Sequence, residues 1–209
     1  MIELFLSAFV TLFVIIDPPG CAPIFASLSH GAALAQRRAM AIRSVAIAAC
    51  ILVFFALFGE KLLKFLGVSL AAFRIAGGIM LFLIALEMVF EKRQERRENR
   101  ANEINATPEI EDISVFPMAI PMIAGPGSIA SVMLLMARAE GLQGSLVVAG
   151  ALAAVLLLTL LALLAAGPLM RLVGHKIEAM ITRILGVILA ALAAQFVIDG
   201  INVSFQINV

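Results

Sequence analysis

Six long apolar runs constrain this chain more than any other feature of its sequence. Each run is long enough to cross a bilayer as an α-helix, which takes roughly 20 residues. Segments in lipid are helical because every backbone amide must be satisfied within the segment. Of the 209 residues, 63% are hydrophobic and only 14% are charged, which is too little charge to cover a soluble fold. We therefore predict an all-α integral membrane protein with six transmembrane helices. The runs cover residues 4–28, 44–66, 69–90, 113–137, 145–170 and 182–203.

One polar stretch, residues 91–112, divides the chain into two halves. It holds five basic and seven acidic residues, so we expect a solvated, flexible linker. The expected organisation is a single transmembrane domain over residues 1–209, with repeat one at about 1–90 and repeat two at about 113–209. Eleven of the fifteen Lys and Arg residues fall on the linker side of the predicted spans. Because basic residues are retained in the cytoplasm, we expect a cytoplasmic linker and both termini outside.

Two short motifs recur at nearly the same offset along the chain. Residues 17–21 (DPPGC) in the first span align with residues 124–128 (AGPGS) in the fourth, at an offset of 107. Residues 74–77 (RIAG) align with residues 183–186 (RILG) at an offset of 109. An odd number of spans per half forces the second copy to enter from the opposite side, so the pattern predicts a 3+3 inverted-topology repeat. The alternative is that Pro-Gly pairs recur by chance in glycine-rich spans.

Proline and glycine inside the first and fourth spans predict that both helices are broken. Proline removes a backbone donor and clashes with the preceding turn. Freed backbone groups at membrane depth are tolerated only where they are buried by protein or line a wet cavity. We predict a shared central site for a small-molecule solute, with half-helices starting after Gly20 and Gly127. Their N-termini suit a carboxylate or another anion, and the preceding carbonyls suit a cation or an ammonium group. The predicted substrate-binding residues are Asp17, Pro18, Pro19, Gly20, Cys21, Gly125, Pro126, Gly127, Ser128 and Ser131.

Asp17 is the acidic residue that lies well inside an apolar run. A carboxylate there is costly and marks a proton or cation site by default. Asp followed by Pro is also a good N-cap, so Asp17 alternatively caps the second half-helix, and both roles can hold together. For Ser128 and Ser131, contact with a solute competes with hydrogen bonding to their own backbone.

Other classes of function have little support in the sequence. No nucleophile, base and orienting group fall together, so we expect no catalytic residues and no enzyme. His30 and His175 lack partners at ligand spacing, so we expect no metal and no cofactor. A net charge of +1 gives no basic face for nucleic acid. Cys21 and Cys50 lie in apolar stretches and are expected to be small buried residues. The expected partners are the lipid bilayer and a solute, and a homo-oligomer is compatible with the sequence.

Three motifs, taken in order, resemble those of one known family. With IDPPG at residues 16–20, RIAGGI at 74–79 and IAGPGS at 123–128, the chain is similar to the MarC family of bacterial inner-membrane proteins over nearly its whole length. The resemblance implies six transmembrane helices and a bacterial inner (plasma) membrane location. It also implies kinship with the LysE-like transporter superfamily, whose members export small amino acids or ions.

These observations favour a secondary transporter or exporter of a small solute. A neutral amino acid, moved by alternating access around the paired helix breaks, is the leading hypothesis. The alternative is a non-transporting membrane scaffold or stress-related protein, in which two helix breaks would have no evident purpose. A membrane thiol or electron carrier is less favoured, because Ser128 stands where a cysteine would have to pair with Cys21.

Overall fold

The computed structural model describes the backbone of residues 1–105 and 112–205, and their side chains except at 94, 100–105 and 168–179. Within these ranges all regular structure is helical, as a chain that satisfies its own backbone groups in lipid must be. One irregular segment, Ser114–Ile123, has wide turns with five-residue hydrogen-bond spacing and extended residues at Phe116 and Ile120. The helices are α1 Ile2–Ile16, α2 Pro18–Leu28, α3 Leu34–Phe65, α4 Leu70–Val89, α5 Lys92–Asn105, α6 Pro126–Arg138, α7 Gly141–Leu164 and α8 Ala166–Phe205.

The described helices supply the predicted membrane spans. Five of the six spans are single apolar stretches, and the sixth is a bent pair formed by the irregular segment and α6. The prediction of an all-α membrane protein with six apolar spans is confirmed when this pair is counted as one span. Five continuous stretches are long and apolar enough to cross a bilayer: Ile2–Leu28, Leu34–Phe65, Leu70–Val89, Gly141–Leu164 and Met180–Phe205.

Two helices extend beyond their apolar runs. α3 begins at Leu34 rather than at residue 44, and α8 continues through the polar loop predicted between the fifth and sixth runs. Lys, Arg and Ala are strong helix formers, so a helix need not end where the apolar run ends. The side chains of Arg171, His175 and Lys176 lie outside the described residues.

Both predicted helix breaks are present. α1 ends at Ile16 and α2 begins at Pro18, so Asp17 alone separates them. Its backbone is left-handed, with φ 58° and ψ 64°, a conformation that Asp adopts more readily than most residues. In the fourth span the irregular segment and α6 are bent by 52°.

The two half-helices begin earlier than the sequence predicted. They start at Pro18 and at Pro126, rather than after Gly20 and Gly127. The fixed φ of proline suits the first helical position, where its missing N–H would be unpaired in any case. Proline therefore opens each half-helix, and the break lies immediately before it.

The prediction of a flexible linker is wrong for residues 92–105, which are helical, whereas the described side chains there are mostly exposed, as predicted for a solvated segment. These residues form α5, which packs against α2 and α4. Arg93 and Arg97 are four residues apart and so lie on one face of the helix, and both are largely withdrawn from solvent. Residues 106–111 of the predicted linker lie outside the described residues.

The two halves of the chain share one order of elements: a broken span, a long helix and a third span. The third spans, α4 and α8, pack along each other, while α1 contacts α7 and α3 contacts both the irregular segment and α6. The inverted relation of the halves and the placement of both termini outside stay predictions.

Close packing of α4 on α8 generates a first test. A Cβ added at Gly78 would lie 2.9 Å from the Ala193 carbonyl oxygen, whereas one added at Gly150 would have nothing within 4 Å. We expect Gly78→Ala to lower the free energy of unfolding by about 1–3 kcal/mol because two backbones must separate. Gly150→Ala should cost nothing, since alanine is the better helix former. Unfolding by sodium dodecyl sulfate, followed by circular dichroism, measures both; equal stability of the two variants would contradict the helix pairing.

Candidate functional site

The first break is closed by the side chain of Asp17. Its Oδ1 accepts a hydrogen bond from the Gly20 amide at 3.1 Å, while its own carbonyl accepts the first helical bond from Cys21 at 3.0 Å. This is the geometry of an N-cap, so the capping role predicted for Asp17 is confirmed. A Cβ at Gly20 would lie 2.2 Å from Asp17 Oδ2, and glycine therefore lets the carboxylate fold over the helix start.

The second oxygen of Asp17 binds an arginine that the sequence analysis did not connect to this site. Arg97 Nη1 donates to Asp17 Oδ2 at 2.9 Å, with 1% of the Asp17 side chain and 10% of the Arg97 side chain exposed. A carboxylate withdrawn from water needs such a partner, since an unpaired buried charge is strongly destabilising. The only sequence signal for this contact was the four-residue spacing of Arg93 and Arg97 in a stretch that otherwise looked solvated.

A second arginine of α5 occupies the carbonyl end of the same break. Arg93 Nη2 donates to the carbonyl oxygen of Ile15 at 2.6 Å, and its Nη1 lies 3.1 Å from Met88 Sδ. The last carbonyls of α1 have no partner within the helix, and they were predicted to suit a cation. A guanidinium of the protein itself meets that requirement. Burial, followed by repulsion from Arg97, lowers the pKa of Arg93 to about 10.

The second break borders a cavity of about 300 Å³. Gly125, Pro126, Gly127 and Ser128 line one part of it. Arginines of α5 line another, and Glu87 of α4 lies beside them as the ion-pair partner of Arg96. α6 begins here with Gly125 as its N-cap residue, and no side chain caps it. The cavity thus combines uncapped helix amides with basic side chains.

The structure places the ten predicted site residues in three groups. Four of them, residues 125–128, line the cavity. Residues 17–21 form the first break and reach the cavity through Arg97, which lines it while binding Asp17. Ser131 lies one turn deeper in α6, fully buried, and its hydroxyl has no hydrogen-bond partner among the described residues.

The two cysteines do not approach each other. Cys21 is buried, and its Sγ lies 3.4 Å from the Ile16 carbonyl oxygen. Cys50 is exposed on α3, so the prediction that it is buried is wrong; the apolar residues of α3 largely face outward, as a lipid-facing surface requires. Both are free thiols, and no group of His, Cys, Asp or Glu suited to a metal occurs among the described residues.

A further charged cluster, away from the cavity, connects α6 with α8. Arg138 forms an ion pair with Asp199, which also accepts a hydrogen bond from Gln195 Nε2 at 2.7 Å. The Arg138 guanidinium lies 4.2 Å from the centre of the Phe196 ring, close enough for a cation–π contact. None of these residues lines the cavity.

Comparison with known proteins identifies the relatives of the chain. Residues 2–205 match the sequence profile described as MarC family integral membrane protein. A UPF0056 membrane protein of Methanocaldococcus jannaschii is 40% identical over 201 residues, covering 96% of this chain and 97% of the relative. The UPF0056 membrane protein YvbG of Bacillus subtilis is 34% identical, covering 99% and 98%. The UPF0056 inner membrane protein YhgN of Escherichia coli is 36% identical, covering 94% and 95%. No solved structure matches the chain.

The buried ion pair at the first break generates a second test. Asp17→Asn retains a capping side chain, because Asn caps as well as Asp, but it leaves Arg97 without a counter-charge. We expect Asp17→Asn and Arg97→Gln each to lower the free energy of unfolding by about 3–5 kcal/mol. The double variant should lose clearly less than the sum, because neither charge is then left alone.

Equilibrium unfolding of the purified protein in detergent measures this coupling. The matched control is Arg43→Gln, which removes one partner of an exposed ion pair with Asp112. That loss should be at most about 1 kcal/mol. Strict additivity of the Asp17 and Arg97 substitutions would show that the two side chains do not interact in the folded protein.

Proposed function

This chain is a member of the MarC family of integral membrane proteins, and on that premise we propose that it is a secondary transporter of a small solute. The proposal is carried by one observation, the cavity of about 300 Å³ at the second helix break, joined to the first break through Arg97 and Asp17. Polar backbone at membrane depth is useful to a transporter because it can bind a solute there. A membrane scaffold would gain nothing from two such breaks.

A neutral amino acid is the solute class that best matches the groups at the two breaks. Its carboxylate matches the uncapped start of α6. Its ammonium group matches the Asp17 carboxylate and the Ile15 carbonyl, which arginine side chains now hold. We propose that the solute crosses by alternating access, with the two halves of the chain moving as an inverted pair around the breaks. In this proposal the protein lies in the inner membrane of a bacterial cell, and both of its termini are outside the cytoplasm.

Solute flux in proteoliposomes tests the proposal. We expect Asp17→Asn, Gly20→Leu and Gly127→Leu each to lower the uptake of radiolabelled glycine or alanine by at least about tenfold, the effect of losing one charge-assisted contact. Steric conflict is the reason for the glycine variants: a Cβ at Gly127 would lie 2.6 Å from Ile84 Cδ1.

Gly150→Leu is the matched control for these variants. It adds the same side chain at a glycine with nothing within 4 Å of its Cβ position, so its flux should equal that of the unmodified protein. Unchanged flux in all three site variants would remove the proposed site. Absence of flux in the unmodified protein, across amino acids and small ions, would favour the scaffold instead.

A further inference from the structure

Among the described residues, the cavity at the second break is lined by three arginines, and only two of them are in ion pairs. Arg96 is paired with Glu87, and Arg97 is paired with Asp17. Arg93 lines the same cavity, yet its hydrogen bonds among the described residues go only to the Ile15 carbonyl and to Met88 Sδ, neither of which carries a charge. A guanidinium withdrawn from water normally has a counter-ion. The Arg93 guanidinium is therefore a group in the cavity that can bind an anion.

The start of α6 differs from the start of α2 in having no side-chain cap. At the first break the Asp17 carboxylate caps α2. At the second break Ala124 and Gly125 stand before α6, and neither supplies a capping side chain. The first amides of α6 have no partner within the helix. Gly125 and Gly127 are buried, and both line the cavity.

Ser128 gives an independent indication that the cavity takes a polar ligand. Its side chain is 2% exposed and lines the cavity. A serine in a helix commonly returns its hydroxyl to the backbone four residues earlier, as Ser44 and Thr159 do here. Among the described residues the Ser128 hydroxyl has no hydrogen-bond partner, and Ser128 lines the cavity.

We infer that the cavity binds the carboxylate of a small organic solute between Arg93 and the first turn of α6, with Ser128 as an additional donor. The solute carboxylate takes the position at α6 that Asp17 takes at α2. A cavity of about 300 Å³ has room for about ten water molecules at roughly 30 Å³ each, so it suits a solute of about ten heavy atoms or fewer. This inference rests on the proposed function and adds the residue that selects the carboxylate.

Binding measurements on the purified full-length protein separate the carboxylate from the rest of the solute. The probes are acetate, which is a carboxylate alone, methylamine, which is an ammonium alone, and glycine, which carries both. Thermal stabilisation is measured against each probe at constant ionic strength, because a ligand that prefers the folded state raises its stability. We expect acetate and glycine to stabilise the protein. Methylamine should bind with an affinity at least tenfold lower.

Three variants assign the contact to Arg93 and Ser128. Arg93→Gln should weaken the binding of acetate and glycine by at least about tenfold, since charge-assisted bidentate contacts are the strong ones. Arg93→Lys keeps the positive charge but loses the planar guanidinium. Its affinity for acetate and glycine should lie between that of the unmodified protein and that of Arg93→Gln. Ser128→Ala should weaken binding severalfold. Arg43→Gln and Ser145→Ala make the same chemical changes at exposed positions and should leave binding unchanged.

The results distinguish this inference from the proposed function. Carboxylate binding that is lost in Arg93→Gln, together with an absence of flux, would support the inference and reject transport. Flux together with unaltered carboxylate binding in Arg93→Gln and Arg93→Lys would reject the inference and leave transport standing. Protection by vesicles containing phosphatidylglycerol, but by no soluble carboxylate, would assign the anion to a lipid headgroup and overturn the inference.

Discussion

The need of every peptide group at membrane depth for a partner governs the structure around Asp17. A helix interrupted there exposes carbonyls at the end of α1 and amides at the start of α2. The Asp17 carboxylate satisfies the amide end, and that solution creates a new problem, a buried negative charge. Arg97 forms an ion pair with this carboxylate, and Arg93 donates a hydrogen bond to the Ile15 carbonyl. One broken turn therefore requires two guanidinium groups from elsewhere in the chain.

The polar stretch between the halves supplies those guanidinium groups because it folds into α5. Successive arginines on one helical face reach the break together, and the delocalised, weakly hydrated guanidinium is better suited to burial than the ammonium of lysine. α5, which follows α4, thereby contacts the first break and lines the cavity at the second. The most highly charged segment of the sequence thus completes a polar site whose carboxylate is buried.

Much of this architecture follows from the sequence because its physical causes are local. Long apolar runs give the spans, and Pro18 and Pro126 give the breaks, since the constraints of proline act on neighbouring residues. The capping role of Asp17 follows in the same way. The burial of Arg93 and Arg97 does not, because a charged stretch has the same composition whether it is solvated or docked. Its docking depends on acceptors about 80 residues earlier in the chain, which no local pattern reveals.

The two breaks differ in whether the protein caps the half-helix that follows, and this difference determines which break can bind a solute carboxylate. Two equivalent breaks would both be closed by a carboxylate of the chain, and no uncapped helix start would be left for a solute carboxylate. Ala124 in the position that matches Asp17 removes the internal carboxylate from one copy only, so α2 is capped by the protein while α6 stays uncapped. On the proposed function, the closed break holds the charges of α5 in place, and the open break receives the solute carboxylate. A single residue difference between the two copies of the motif thus distinguishes the break that holds the arginines of α5 from the break that binds the solute carboxylate.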